Sequence, residues 1–138
     1  MKTVLLVKLA FMPLVAFWVA VPLLYPDASL AHAVVAWSQI AVGAAMAASV
    51  ALGRPWTAAF SALEWPAEES RAVFLRINSI MSALWAAIFL GLGVARFFAL
   101  PSAAYWAPVA VGAALSVVLP RLLVRRARAR RAASEAGV

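Results

Sequence analysis

The chain has 138 residues, of which 67% are hydrophobic and 12% charged, with a formal net charge of +7, one His and no Cys. So apolar a composition excludes a water-soluble domain with a mixed charged surface, and the lack of Cys excludes disulfides, thiolate chemistry and Cys-ligated zinc or iron–sulfur centres. The charge does not describe a nucleic-acid groove, because six of the twelve basic residues fall between Arg121 and Arg131, as a tail.

Four apolar stretches approach the ~20 residues that a helix needs to cross a ~30 Å hydrocarbon core, at about 3–25, 30–52, 73–95 and 103–124. Turn residues separate them: Pro26-Asp27, Gly53-Arg54-Pro55 and Leu100-Pro101-Ser102. Lipid offers no partner for a free backbone amide, so each stretch is expected to be helical, in an all-α bundle of four transmembrane helices occupying residues 1–124, with residues 125–138 a basic tail.

The distribution of Lys and Arg orients these spans. Lys2 and Lys8 open the first, Arg54, Arg71 and Arg76 flank the middle loop, and Arg121, Arg125, Arg126, Arg128, Arg130 and Arg131 follow the last. Arg96 alone falls on the other side, where the 26–29 turn carries Asp27. Both ends are therefore expected in the cytoplasm. Lys2, Lys8 and a site at Ala31-His32-Ala33 also fit a cleaved signal peptide, but an uncleaved first helix balances the charges better. Tyr25, Tyr105 and Trp106 suit the outer interface and Trp56 and Trp65 the inner one, while Trp18, Trp37 and Trp85 lie deeper, where helix packing or lipid contact accounts for them.

The segment from Gly53 to Asn78 is the least generic. Pro55 suits the opening of a short helix whose Trp56, Phe60 and Leu63 recur at helical spacing, an interfacial element on the cytoplasmic surface. Pro66, with Glu68 and Glu69 in the following turn, suits the start of the third helix. Along that helix Arg71, Asn78, Ser82, Trp85 and Phe89 share a stripe that should face inward. Asn78 is then either interhelical glue or, with Arg54, Glu64, Arg71 and Arg76, part of a cytoplasm-facing polar cluster for an anion or lipid headgroup.

Gly53-Arg54-Pro55-Trp56-Thr57, followed by Glu64, Pro66, Phe74, Asn78, Ser82, Trp85 and Phe89, resembles a motif of uncharacterised bacterial four-helix inner-membrane proteins over residues 53–89. Trp56 and Ser82 stand where that family's pattern has Phe and Thr. The resemblance implies fold and topology and carries no activity.

Other positions read as packing or anchoring. Gly43, Ala47 and Ala51 in the second span, and Gly112 and Ser116 in the fourth, form small-residue faces for another helix or another protomer. Lys8 is expected to snorkel, and Gln39 to make one interhelical bond. His32, at the outer end of the second span, has no second His to share a haem or metal, and neither is expected. Arg121, Arg125, Arg126 and Arg128 suit anionic lipid. The five acidic residues all lie outside the spans, against proton coupling through an intramembrane carboxylate, and no nucleophile stands beside Glu64. The leading expectation is a non-enzymatic accessory or scaffold subunit, forming a homo-oligomer or joining a larger membrane complex. The alternatives are a small oligomeric transporter or channel for an anion or neutral solute and a lipid-active enzyme at the cytoplasmic face.

Overall fold

The computed structural model describes residues 2–27, 29–61, 70–98, 100 and 102–136. All regular structure among them is helical: α1 (Lys2–Leu24), α2 (Ser29–Ala51), α3 (Ala58–Ser61), α4 (Arg71–Ala95), a 3₁₀ turn (Arg96–Phe98) and α5 (Ser102–Ala136). Three segments are long and apolar enough to cross a membrane: α2, α4 with its 3₁₀ turn, and Ala104–Ser134 of α5. α1 runs for 23 residues and is apolar over Met12–Leu24.

Helix ends differ from the sequence expectation in two places. α4 begins at Arg71 rather than at Pro66, because Ser70 is extended and its side chain accepts a hydrogen bond from the Val73 amide, the geometry of an N-cap. Pro66, Glu68 and Glu69 lie outside the described residues, as do Glu64 and Trp65. At the other end, the basic segment after residue 124 is a continuation of α5, which runs unbroken for 35 residues. Ala and Arg are strong helix formers, and neither Gly nor Pro interrupts residues 121–136. Such a helix is about 52 Å long, roughly 20 Å more than a ~30 Å hydrocarbon core requires.

The centre of the fold is the antiparallel pair α2 and α4, with α1 packed on α2 and α5 on α4. Glycine permits the central contact. A Cβ built on Gly43 would lie 2.9 Å from the Leu90 amide nitrogen and 3.0 Å from the Ala86 carbonyl, and one on Gly93 would lie 2.8 Å from the Ala36 carbonyl. Each glycine thus admits the backbone of the opposing helix, the small-residue packing used where lipid removes the hydrophobic drive for association. Trp18, Val35, Met46, Ala86, Phe89 and Leu92 fill the core beside this crossing. Trp18 stacks at a tilt on Phe89 with centroids 4.9 Å apart, and its indole N–H donates to Ser38 Oγ at 2.8 Å, joining α1 to both central helices. On the far side, Gly112 faces Ile88 and Trp85, and Trp85 Nε1 donates to Ser116 Oγ at 3.0 Å. Trp37, by contrast, is 63% exposed and touches the edge of Phe97.

Candidate functional site

The chain leaves α2 through a Schellman turn. Gly53 takes a left-handed φ of 67°, its amide bonds to the Val50 carbonyl and that of Arg54 to the Ser49 carbonyl. Pro55 then prevents continuation, and it has no N–H to satisfy. Among the described residues of this segment only Ala58–Ser61 forms a helical turn, and it packs between α1 and α4. Trp56, expected at the interface, packs against the core, and its buried Nε1 has no hydrogen-bond partner among the described residues. Leu63 lies outside the described residues.

Non-helical backbone beside the core is costly unless every amide is paired. Here the pairing is complete from Gly53 to Ala59. The Trp56 amide donates to Ser49 Oγ at 2.9 Å, the Thr57 amide to Ser82 Oγ at 3.0 Å, and the Ala58 and Ala59 amides to the Pro55 and Trp56 carbonyls. Two side-chain hydroxyls, one from each central helix, thus replace the missing secondary structure. Thr57 Oγ1 adds a bond to the Asn78 carbonyl at 2.8 Å and shares a hydrogen with Ser82 Oγ at 3.1 Å. Ser61 Oγ reaches Asn78 Oδ1 at 2.7 Å, while Asn78 Nδ2 donates to the Phe74 carbonyl at 2.9 Å. Asn78 and Ser82 are one helical turn apart on α4 and are 3% and 0% exposed, so the α4 side of this latch is buried.

The polar cluster read from the sequence is therefore divided. Asn78 belongs to the latch. Arg54 and Arg71 are exposed and line a cleft of about 450 Å³ between the loop and the start of α4. Arg76 is exposed on another face of α4, in a stripe with Ile80, Ala83 and Ala87. Glu64 lies outside the described residues. The sequence offers Ser82 only as part of the inward stripe and Thr57 only within the 53–57 motif, and it sets no mark on Ser49 or Ser61. The available signal was a hydroxyl two residues after Pro55, facing an Asn and a Ser spaced i, i+4.

The opposite end of the bundle has its own polar contact. Arg96 Nε donates to Gln39 Oε1 at 2.9 Å, and the guanidinium lies 5.0 Å from the Tyr105 ring centroid. Gln39 is buried, so this bond satisfies an amide between α2 and the end of α4. His32 Nε2 is 2.9 Å from the Pro26 carbonyl, closing the α1–α2 turn. Among the described residues no three His, Asp or Glu side chains gather as a metal site would require.

No protein-family model, curated protein or solved structure matches this chain.

The small-residue faces are also divided. Gly43 is buried against α4, and Gly112 and Ser116 face α4 from α5, with Ser116 Oγ also bonded to the Gly112 carbonyl at 2.8 Å. Ala47 and Ala51 are exposed, since they have rotated off the α4 contact. Arg121, Arg125, Arg126 and Arg128 are exposed along the distal part of α5.

Proposed function

We propose that the chain is a four-span integral membrane protein of the bacterial inner membrane, with both termini in the cytoplasm, serving as a non-enzymatic accessory or scaffold subunit. The resemblance of residues 53–89 to a four-helix inner-membrane family is part of this reading. The observation that carries it is how the buried polar side chains are used. Gln39, Asn78 and Ser82 all bond to other parts of the same chain, holding the loop and the helix ends. A transport path or a catalytic centre calls instead for polar groups held ready for a substrate. Outward, α2 presents Val34, Trp37, Ala41, Ala44, Ala48 and Ala51, and α5 is exposed over most of its length, so helix faces are what the molecule offers to its surroundings.

Native mass spectrometry of the protein released from its own membrane tests the role. A defined hetero-complex or homo-oligomer is expected; a lone monomer at every detergent concentration overturns the scaffold reading. Orientation is testable because the chain has no Cys. With a membrane-impermeant maleimide on intact cells, Ser29→Cys is expected to label and Ser134→Cys to remain protected. Labelling of both overturns the cytoplasmic placement of the C-terminus.

A further inference from the structure

The cleft at the foot of α4 combines two features that the latch does not use. Among the described residues its charged lining consists of Arg54 and Arg71, and its walls are apolar: Pro55, Trp56, Phe74 and Leu75. Both arginines are exposed, and among the described residues neither forms an ion pair. Their backbones are held firmly, Arg54 by the Schellman bond to the Ser49 carbonyl and Arg71 by the Ser70 cap that starts α4. Arg71 moreover occupies the first turn of a 25-residue helix, where the dipole presents its positive end and a cation is disfavoured. Two guanidiniums and a helix N-terminus of the same sign converge on one opening. An anion relieves that repulsion.

The apolar walls select among anions. A small hydrated ion gains nothing from Trp56, Phe74 and Leu75, whereas glycerol and the first acyl carbons of a lipid cover them. The cleft also lies just past the end of α2 and at the start of α4, where spanning helices meet the headgroup layer. We propose that this cleft binds the phosphate of an anionic phospholipid, held between Arg54 and Arg71 with the glycerol and upper acyl chain against Trp56, Phe74 and Leu75. Guanidinium forks match phosphate oxygens in pairs, so both arginines contribute to one headgroup. The volume of about 450 Å³ is within the usual range for a ligand pocket and suits a headgroup region rather than a whole lipid. The assignment rests on the chain being embedded in a bilayer and is independent of the accessory role.

Native mass spectrometry of the full chain in detergent, titrated with phosphatidylglycerol or with phosphatidylcholine of the same acyl chains, provides the test. Lipid adducts are scored on each assembly state separately, so the copy number that bears on the scaffold role is read apart from lipid binding. One phosphatidylglycerol should bind in preference to phosphatidylcholine. Arg54→Gln and Arg71→Gln should each weaken it about fivefold or more, the effect of one basic residue at a membrane surface. Arg76→Gln, on another face of the same helix, should change it less than twofold. Ala59→Trp, which fills the cleft while leaving both arginines, should abolish the preference, with circular dichroism confirming that each variant is folded. Inorganic phosphate in excess should fail to displace the lipid. Equal binding of the two lipids, equal losses in the Arg76 and Arg71 variants, or full displacement by inorganic phosphate each overturns the proposal.

Discussion

Replacing Ser82 by Ala isolates what the latch contributes. The side chain is fully buried, and Ser and Ala differ by one oxygen, so the cavity created is small. What is lost is the acceptor for the Thr57 amide at 3.0 Å and the contact with Thr57 Oγ1 at 3.1 Å. An ordinary side-chain hydrogen bond between membrane helices contributes only ~0.6 kcal/mol on average, because the groups find other partners when it is removed. Thr57 Oγ1 can do so, since it retains the Asn78 carbonyl. The Thr57 amide cannot: it is fixed between Pro55 and α3 and is left without an acceptor, at a cost of ~1–3 kcal/mol. The two losses together predict a destabilisation of about 2–3 kcal/mol for Ser82→Ala. Reversible unfolding in mixed micelles, with increasing denaturing detergent and tryptophan fluorescence as the readout, measures it. Thr57→Val, which keeps the amide bond to Ser82, should cost less, about 1 kcal/mol. If Ser82→Ala costs no more than Thr57→Val, the backbone amide is not what Ser82 holds.

The central crossing makes an equally sharp prediction. Gly43→Ala and Gly93→Ala each set a methyl against opposing backbone and should destabilise by ~1–3 kcal/mol, whereas Gly91→Ala, with nothing within 4 Å of the added carbon, should be neutral or stabilising in the same unfolding assay. Gly53→Ala forces a side chain into the left-handed region and should cost about 1–2 kcal/mol. Gln39→Leu removes the acceptor from Arg96 Nε; bonds to charged groups are worth ~1.5–3 kcal/mol, so this variant should lose more stability than Trp37→Leu on the exposed face of α2, compared by thermal melting in detergent.

The long helices were legible because lipid imposes a length and an apolar composition, and α2 and α4 satisfy both. The start of α4 was not, since Pro66 followed by Glu68 and Glu69 carries the same local signal as Ser70 before Val73, and the Ser70 geometry decides between them. The inward stripe of α4 was legible in Asn78, Ser82 and Phe89, which are buried, but it does not extend to Arg71, which is exposed at the mouth of the cleft. Arg76 does not join Asn78 in a polar cluster, because two residues along a helix place side chains about 200° apart. The fold of the 53–61 loop was hidden for a different reason. Trp56, Phe60 and Leu63 at helical spacing describe an amphipathic helix, and only the tertiary position of Ser49 and Ser82 makes the inward course favourable. The described part of the 53–89 motif thereby acquires a physical meaning, since Gly53 turns the chain, Pro55 stops the helix, Thr57 enters the latch, and Asn78 and Ser82 receive it.

α4 emerges as the spine, fixed near its start by the latch, at its middle by Gly43 and Gly93, and at its end by the Arg96–Gln39 bond. α5 is held differently, through Gly112 against Ile88 and Trp85, the Trp85–Ser116 bond, and Tyr105, whose hydroxyl donates to the Ala95 carbonyl at 3.4 Å. These contacts all lie in the N-terminal half of α5; beyond Ser116 the helix runs on with exposed residues such as Val117, Val118, Arg121 and Leu122. Attachment of α5 should thus fail before the α2–α4 pair does. Trp85→Phe removes the bond to Ser116 and keeps most of the ring stacked on Phe89, so it should loosen α5 selectively. Cysteine pairs placed across α4 and α5 should then crosslink less efficiently, while pairs across α2 and α4 remain unchanged. Equal loss at both interfaces would mean that the four helices pack as one cooperative unit and that α4 is no more a spine than its neighbours.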